Sequence, residues 1–285
     1  MKNNVQVAFQ GEPGAYSEAA ALEYFGSNIR THPCYNFEKV FEAVSENTSS
    51  HGLIPIENSL AGSIHRNYDL MLHHDLHIVG EYHLRVSHCL LALPEVKLEE
   101  IRRVHSHPQA LAQCEASTRQ LGLEQVAEAD TAGSARLLRE RNDRQAAVLA
   151  SQRAAEVYNL AILAENMEDN PANYTRFLAL SRQPLLPENT ESREYKTSLV
   201  FSLDNCPGAL FKAMSVFALR DIDLTKIESR PVPGKPWDYL FYIDFAGHIS
   251  EHACMRALDH LSELATFMRV LGSYPRHRLE YSSVE

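Results

Sequence analysis

Three polar side chains follow a short apolar strand early in the sequence and could face a ligand-binding cleft. They are Glu57, Asn58 and Ser59, directly after a strand predicted at residues 52–56. Amide and hydroxyl groups offer hydrogen-bond donors there, and a carboxylate could take part in acid–base chemistry. The alternative is a helix N-cap, with Ser59 capping and its neighbours solvated. Both interpretations can hold together, so this segment is a candidate site.

A second candidate pair opens an apolar strand predicted at residues 174–180. Thr175 offers a hydroxyl, and Arg176 carries a planar fork of donors that suits a carboxylate. Arg176 could instead pair structurally with an acid such as Glu168 or Asp169, and the local sequence slightly favours that structural role.

Two further features suggest chemistry less strongly. Cys114 could be a nucleophile, but nothing near it in the sequence would activate its thiol, and a small buried residue on an apolar helix face is the simpler interpretation. A cluster of histidines could bind a metal or form a solvated helix end. No acidic or thiol partner has ligand spacing around it, so we expect no metal. The cluster comprises His65, His73, His74, His77, His83 and His88.

Several classes of function are disfavoured by what the sequence lacks. It has no G-x-x-x-x-G-K-[ST] or G-x-G-x-x-G loop for a nucleotide, and no H-E-x-x-H or G-x-S-x-G motif. With 27 basic and 37 acidic residues, its formal net charge of −10 gives no electrostatic attraction to nucleic acid or to an anionic membrane surface. An anionic substrate would therefore need local donors inside a cleft.

The cysteines and the first residues predict a cytoplasmic protein. The five cysteines are odd in number and never form a C-x-x-C pair, which fits a reducing compartment better than a disulfide framework. Residues 1–9 lack the apolar segment of a signal peptide, and no apolar stretch is long enough to span a membrane.

The elements that must position the candidate side chains alternate between strands and helices over residues 1–182. Such alternation predicts an α/β region with mainly parallel sheets, in which ligands lie at the carboxyl ends of strands against helix starts. Ser17 and Thr131 stand at two predicted helix starts, and Ser151 at a third. Residues 84–93 are predicted to form one long strand that crosses to a second lobe. Other strands are predicted at residues 5–9, 52–56, 103–106, 148–150 and 174–180.

The rest of the chain predicts a second, smaller domain. Residues 183–195 contain prolines and lack periodicity, so they are predicted to be a linker. Residues 196–275 follow with the order β-α-β-β-α-β, which is that of ferredoxin-like folds, and residues 276–285 form a tail. The strands are predicted at residues 197–203, 223–229, 239–245 and 267–271, and the helices at 207–219 and 254–265.

Several segments, in this order, closely resemble the prephenate dehydratase family over nearly the whole chain. Residues 173–177 (NYTRF) match the segment with the family's Thr-Arg-Phe signature, at Thr175, Arg176 and Phe177. The other matching segments are residues 11–17 (GEPGAYS), 55–64 (PIENSLAGSI), 106–114 (SHPQALAQC) and 130–135 (DTAGSA).

This resemblance implies both a fold and a reaction. The implied catalytic region, residues 1–182, has two lobes like a type II periplasmic binding protein, and the chain crosses between them near 80–85 and 170–175. The implied reaction converts prephenate into phenylpyruvate, water and CO2, with no metal or organic cofactor. An enzyme for it needs a donor at the leaving hydroxyl and fixed donors for the carboxylate that stays.

The resemblance also implies a role for each matching residue. Thr175 is expected to hydrogen-bond the leaving hydroxyl, and Arg176 to anchor a carboxylate or organise the cleft floor. Phe177 would help to line a poorly solvated pocket for the departing CO2. The other expected catalytic residues are Glu57, Asn58 and Ser59. The expected substrate-binding residues are Ser17, Gly62, Ser106, His107, Gln113, Cys114, Thr131 and Ala132.

Residues 196–275 are similar to an ACT domain, a small amino-acid-sensing module. The resemblance implies that L-phenylalanine binds there at a subunit interface and inhibits the enzyme, which requires a homodimer and leaves a tetramer open. The sequence starts with the first catalytic strand, so we expect no fused chorismate mutase domain. The implied ligand-binding residues are Asn205, Pro207, Gly208, Ala209, Leu210, Phe211, Glu228, Ser229, Arg230 and Pro231.

Two alternatives to a prephenate dehydratase stay open. The first is the same chemistry on arogenate, the aminated analogue of prephenate, which would give phenylalanine; the sequence does not separate the two substrates. The second is a small-molecule-binding protein without catalysis, because the two-lobed architecture is shared with solute receptors. The attached sensor region and the lack of a signal peptide weigh against this second alternative.

Overall fold

The computed structural model describes residues 5–185, 194–232, 234–235 and 237–278, which fold as two compact units. The first unit is the chain up to Asn67 together with Tyr82–Phe177. The second is Tyr68–Glu81 together with the chain from Leu178 onward. Residues 186–193 of the predicted linker and 279–285 of the predicted tail lie outside the described residues, as do residues 1–4. The domain limits at 182, 195 and 275 stay predictions.

The first unit is built on two sheets, the first with the strand order β2-β1-β3-β11-β5. Strand β1 pairs in parallel with both β2 and β3, as predicted. The short β4 returns antiparallel to β3 and places Gly62 opposite Asn58. Along the chain, β5 begins in the second unit and β11 ends in it. The strands are β1 (Gln6–Gln10), β2 (Arg30–Cys34), β3 (His51–Asn58), β4 (Gly62–Ser63), β5 (His77–Arg85) and β11 (Tyr174–Ser181).

The second sheet of this unit has the strand order β10-β6-β9-β7-β8. Strand β7 is parallel to β8 and β9, but β6 is antiparallel to β9 and β10, so this sheet is mixed rather than mainly parallel. All five residues of β9 are buried, which explains its uninterrupted apolar sequence. The strands are β6 (Cys89–Ala92), β7 (Arg103–Ser106), β8 (Glu124–Ala127), β9 (Ala146–Ala150) and β10 (Ala161–Ala164).

The single strand predicted at residues 84–93 is wrong, because β5 ends at Arg85 and β6 begins at Cys89. At the break, the backbone N–H of His88 donates to Oε2 of Glu168 at 2.9 Å instead of to a neighbouring strand. The sequence around residue 88 does not reveal this break, because the acceptor lies 80 residues further along the chain.

Helices cover these sheets, and side chains cap several of their first turns. Ser151 caps α7 as predicted and accepts from the N–H of Ala154 at 3.0 Å. Asp130 caps α6, and Thr131 is the first residue of that helix rather than the residue before it. The helices are α1 (Tyr16–Phe25), α2 (Phe37–Ser45), α3 (His65–His73), α4 (Pro108–Gln113), α5 (Glu115–Gln120), α6 (Thr131–Arg141) and α7 (Gln152–Tyr158).

The second unit contains the predicted order β-α-β-β-α-β in an antiparallel sheet of order β13-β14-β12-β15. This confirms the predicted fold class of an α/β region followed by a ferredoxin-like unit. Lys196 and Glu81 form an ion pair at 2.8 Å, with both side chains buried. The elements are β12 (Tyr195–Leu203), α8 (Ala209–Ala218), β13 (Leu224–Pro231), β14 (Tyr239–Ala246), α9 (His252–Leu264) and β15 (Ala265–Pro275).

Among the described residues, no helix combines the length and the apolar character that a membrane crossing requires.

Candidate functional site

A cavity of about 340 Å³ lies in the first unit, where β1 and β3 end and α1, α4 and α6 begin. This is the position that the α/β pattern predicts for a ligand. The cavity is lined by Gln10, Tyr16, Ser17, Pro55, Asn58, Ala61, Gly62, Ser63, Ile64, Val86, His88, His107, Gln109, Ala110, Gln113, Asp130, Thr131, Thr175 and Phe177.

Asn58, the last residue of β3, is held in one orientation by the loop that follows it. Its Oδ1 accepts from the backbone N–H groups of Leu60 and Ala61, at 3.0 and 2.9 Å. Its Nδ2 therefore points the other way and donates to Oδ1 of Asn173 at 2.8 Å and to Oγ1 of Thr175 at 3.0 Å. Asn58 thus ties the end of β3 to the start of β11.

Thr175 is mostly buried and lines the cavity. Because its Oγ1 accepts from Asn58, the hydrogen of its own hydroxyl is available for another acceptor. Among the described residues no acceptor takes that hydrogen. The geometry therefore leaves a hydrogen-bond donor for a ligand in the cavity.

The structure places Arg176 away from the cavity that Thr175 and Phe177 line. Successive residues of a strand point to opposite faces of the sheet, so residues 175 and 177 share one face and residue 176 takes the other. Arg176 is buried on that other face. Arg176 is therefore not among the residues that line the cavity, and its expected role, to anchor a carboxylate or to organise the cleft floor, stays a prediction.

Glu57 and Ser59 flank Asn58 but do not line the cavity. Ser59 instead ties its loop to the segment before β11: its Oγ donates to the carbonyl of Ala172 at 2.7 Å and accepts from the N–H of Tyr174 at 2.9 Å. Gly62 does line the cavity, with a positive φ of 82° that glycine adopts without strain.

Three of the residues expected to bind the substrate lie at helix starts and line the cavity. They are Ser17 in the first turn of α1, His107 at the N-cap of α4 and Thr131 at the first position of α6. His107 also accepts a weak hydrogen bond from the N–H of Gln109 through its Nδ1, at 3.2 Å.

Three other residues expected to bind the substrate are buried elsewhere. Ser106 is fully buried and donates to the carbonyl of Leu149 at 2.6 Å. Cys114 is also fully buried, in the apolar core of the second sheet, and burial raises its thiol pKa far above the ordinary value. Ala132 is buried as well. None of the three lines the cavity, so Cys114 is a structural thiol and not a nucleophile.

Sequence reasoning missed a second polar network at the cavity. Gln113 was expected there, but the other members of the network, Asn173, His88 and Tyr16, were not. Asn173 Nδ2 donates to Oε1 of Gln113 at 3.2 Å, and His88 Nε2 lies 3.0 Å from the same oxygen. Tyr16 Oη lies 2.7 Å from His88 Nδ1. Tyr16 stands in the matched segment 11–17 and Asn173 opens the matched segment 173–177, which is the signal that could have found them.

The cavity offers an anion hydrogen-bond donors rather than positive side chains. Among the described residues that line it there is no lysine or arginine, and Asp130 is the one acidic residue. Neutral donors preorganised in a partly buried site can hold a carboxylate, because they need no reorganisation when it binds.

The residues expected to bind L-phenylalanine lie in two segments of the second unit. Gly208 occupies the N-cap of α8 with φ of 81°, and Leu210 and Phe211 follow it, the latter 78% exposed. Glu228, Ser229, Arg230 and Pro231 end β13. Arg230 pairs with Asp69 at 2.9 Å within the same unit.

Within the described part of the chain, no three His, Cys, Asp or Glu side chains come together as metal ligands. Of the histidine cluster along residues 65–88, His88 alone is among the described residues that line the cavity.

Two sheets around a donor-lined cavity, followed along the chain by a β-α-β-β-α-β unit, define a two-lobed α/β enzyme that acts on a small organic molecule. The chain belongs to the prephenate dehydratase family, whose model matches residues 7–185. The family consists of hydro-lyases, and the protein is a dehydratase of prephenate or arogenate.

Three relatives illustrate the similarity. An arogenate dehydratase/prephenate dehydratase of Arabidopsis thaliana, described as chloroplastic, is 52% identical over 96% of this chain and 73% of its own length. The structure of prephenate dehydratase from Arthrobacter aurescens with L-Phe is 33% identical, with a TM-score of 0.86 over 95% of this chain and 90% of that one. A structure described as a novel type of quorum quenching acylase is 38% identical, with a TM-score of 0.89 over 95% and 98%.

The expectation of a cytoplasmic location is contradicted by the Arabidopsis relative, which is described as chloroplastic. The five cysteines are indeed unpaired. Unpaired cysteines indicate a reducing environment, and that property alone does not specify a compartment.

Proposed function

We propose that the protein converts prephenate into phenylpyruvate, water and CO2. The observation that carries this proposal is the free hydroxyl hydrogen of Thr175, which Asn58 leaves available at the cavity. In the reaction, the bond between the ring and one carboxylate breaks as CO2 leaves. Its electron pair completes the aromatic ring and expels the ring hydroxyl. The hydroxyl departs as hydroxide and takes up one proton to become water.

Thr175 is the proposed donor to the departing hydroxyl. A threonine is too weak an acid to give up its proton for good, so its role is a positioned hydrogen bond that strengthens as negative charge develops on the leaving oxygen. The proton that completes water comes from solvent in this proposal.

The two carboxylates of prephenate need different surroundings. The carboxylate that stays would bind neutral donors at the cavity, among them Gln113 and the helix-start hydroxyl of Thr131. The carboxylate that leaves would face the apolar side chains of Phe177, Ile64 and Val86. A poorly solvated carboxylate is destabilised relative to neutral CO2, which favours its loss.

Asp130 is the observation that favours arogenate as a second candidate substrate. Its carboxylate lines the cavity, and arogenate carries an ammonium group where prephenate has a ketone. A carboxylate can pair with that ammonium group and gains nothing from the ketone.

The deciding experiment is steady-state kinetics of the full chain on both substrates, with product analysis for phenylpyruvate and phenylalanine. Turnover of prephenate supports the proposal, and turnover of arogenate alone supports the second candidate. Binding of both compounds without turnover of either would contradict both and leave the non-catalytic alternative.

We also propose that residues 196–275 are an ACT domain that binds L-Phe in a homodimer and thereby inhibits the enzyme. The exposed apolar side chains of Phe211, Leu219 and Ile227 support a subunit interface on this unit. The N-terminus of α8 behind Gly208 can receive a carboxylate, and the Arthrobacter relative was solved with L-Phe.

The regulation is tested by a thermal-shift titration with L-Phe, with L-Ala as the matched control, together with light scattering for the oligomeric state. Linkage requires that a ligand which disfavours the active state be disfavoured by substrate in turn. A melting temperature unaffected by L-Phe, or a monomer with and without it, would contradict the sensor role.

A further inference from the structure

We propose that His88 is a positioning residue for the reaction: with Asn173 it turns the amide of Gln113 so that the NH2 group faces the cavity and binds a substrate carboxylate. The identity of that substrate rests on the dehydratase function proposed above. The orientation of the amide follows from a chain of hydrogen bonds whose direction is fixed from one end.

The direction begins at the backbone. The N–H groups of Leu60 and Ala61 can only donate, so the atom of Asn58 that they contact is its amide oxygen. The Nδ2 of Asn58 must then face Asn173, and it meets Oδ1 of that residue at 2.8 Å. The orientation of one amide therefore fixes the next.

The orientation of Asn173 in turn fixes the hydrogen bonds of Gln113 and His88. With its oxygen occupied by Asn58, Asn173 presents its NH2 group, which donates to Oε1 of Gln113 at 3.2 Å. His88 Nε2 lies 3.0 Å from that oxygen. An amide oxygen only accepts, so the hydrogen of the neutral His88 ring is on Nε2.

Tyr16 completes the network on the far side of the His88 ring. In the neutral ring with its hydrogen on Nε2, Nδ1 carries a lone pair that faces the Tyr16 hydroxyl at 2.7 Å. That hydroxyl has one hydrogen and two acceptors within reach, His88 Nδ1 and the carbonyl of Ser87 at 2.9 Å, so the two acceptors share it. Burial lowers the pKa of His88 and so favours this neutral form, even though Glu168, paired with Arg85, partly opposes the shift.

Oε1 of Gln113 therefore accepts from two donors, and neither of these hydrogen bonds uses the NH2 group of the same amide. That group has no acceptor among the described residues, and Gln113 lines the cavity. If the amide rotated by half a turn, its oxygen would face the cavity and repel a carboxylate. Because no described lysine or arginine lines the cavity, the orientation of this amide matters for binding an anion. Holding that orientation is the role of His88.

The kinetic test replaces His88 by Leu, which has no donor, and by Gln, whose amide can donate to the same oxygen. Loss of one orienting hydrogen bond is expected to raise KM about tenfold for His88→Leu while kcat stays within about threefold, because the carboxylate is bound equally in the ground and transition states. His88→Gln is expected to recover most of the affinity. In a Gln113→Leu background, His88→Leu is expected to have no further effect on KM.

Nitrogen-15 NMR of the histidine rings in the full chain gives a readout that needs no substrate. The signals of His88, assigned by their loss in His88→Gln, are expected to show the hydrogen on Nε2, and Tyr16→Phe is expected to weaken that preference. Hydrogen on Nδ1, or an unchanged KM in His88→Leu, would overturn the proposal. Failure of the wild type to turn over either substrate would contradict the proposed function, while the NMR result would still decide the form of His88.

Discussion

Asn58 Nδ2 donates to Oγ1 of Thr175 at 3.0 Å, although 117 positions separate the two residues in the chain. The bond joins the end of β3 to the start of β11 and determines which way the threonine hydroxyl can donate. A side chain with little intrinsic acidity thereby becomes a directed donor at the cavity.

The hydroxyl of Thr175 should therefore matter for turnover more than for binding. We expect Thr175→Val, which keeps the shape and removes the donor, to lower kcat by about 10²-fold with a smaller change in KM. Thr175→Ser keeps the hydroxyl and is expected to retain kcat within about tenfold of wild type. Equal kcat values for Thr175→Val and wild type on the preferred substrate would rule out this role.

Asp130 should affect the two substrates differently. Asn can still accept from the N–H of Gly133, so Asp130→Asn preserves the cap of α6 and removes only the charge. Loss of one charge-assisted contact is expected to raise KM for arogenate about tenfold and to leave KM for prephenate unchanged or lower. Steady-state kinetics on both substrates measures this, and equal changes on both would contradict a contact with the ammonium group.

The buried pair Lys196–Glu81 should make a large contribution to the stability of the second unit when one partner is removed. Lys196→Met removes one member of this buried pair and is expected to lower the free energy of unfolding by about 3 kcal/mol. The exposed pair Arg119–Glu115 provides the control, because Arg119→Met should cost less than about 1 kcal/mol. Urea denaturation measures both, and similar losses would show that burial of the first pair does not matter.

The stability of the fold should decrease as the pH falls below neutrality. Burial lowers the pKa of His51, His88, His248 and His277 below the ordinary value. The unfolded chain therefore binds more protons than the folded one once the pH drops below about 6.5, and stability is lost from there downward. Chemical denaturation at pH values of about 7.5 and 5.5 measures the effect.

His51→Gln provides the control for this pH dependence, because it removes one of these titrating groups and should reduce the loss. An unfolding free energy that is equal at both pH values would contradict the prediction. A drop in unfolding free energy between the two pH values that is larger in His51→Gln than in the wild type would also contradict the prediction.

Much of the fold follows from local patterns in the sequence. The alternation of strands and helices in the first unit, the cap at Ser151 and the β-α-β-β-α-β order of the second unit were predicted, whereas β2, β4, β8 and β10 were not. They are encoded by periodicity and capping residues within a few positions of one another. The break between β5 and β6 was not predicted, because it depends on the distant carboxylate of Glu168.

The candidate site also has one part that the sequence predicts and another that it does not. The sequence by itself determined the segments around Asn58, Gln113, Thr131 and Thr175, because each has a distinctive local composition and matches the family. It could also have placed Arg176 on the face opposite Thr175, since alternation along a strand is a local rule.

Only the tertiary structure decided which side chains meet. Asn58 reaches Thr175 and Asn173, His88 reaches Gln113, and Ser106 turns to Leu149 rather than to the cavity. These contacts join residues far apart in the chain, so they depend on strand order, on register and on which face of each element is buried. No local pattern specifies those relationships, because they are set by the packing of whole sheets and helices.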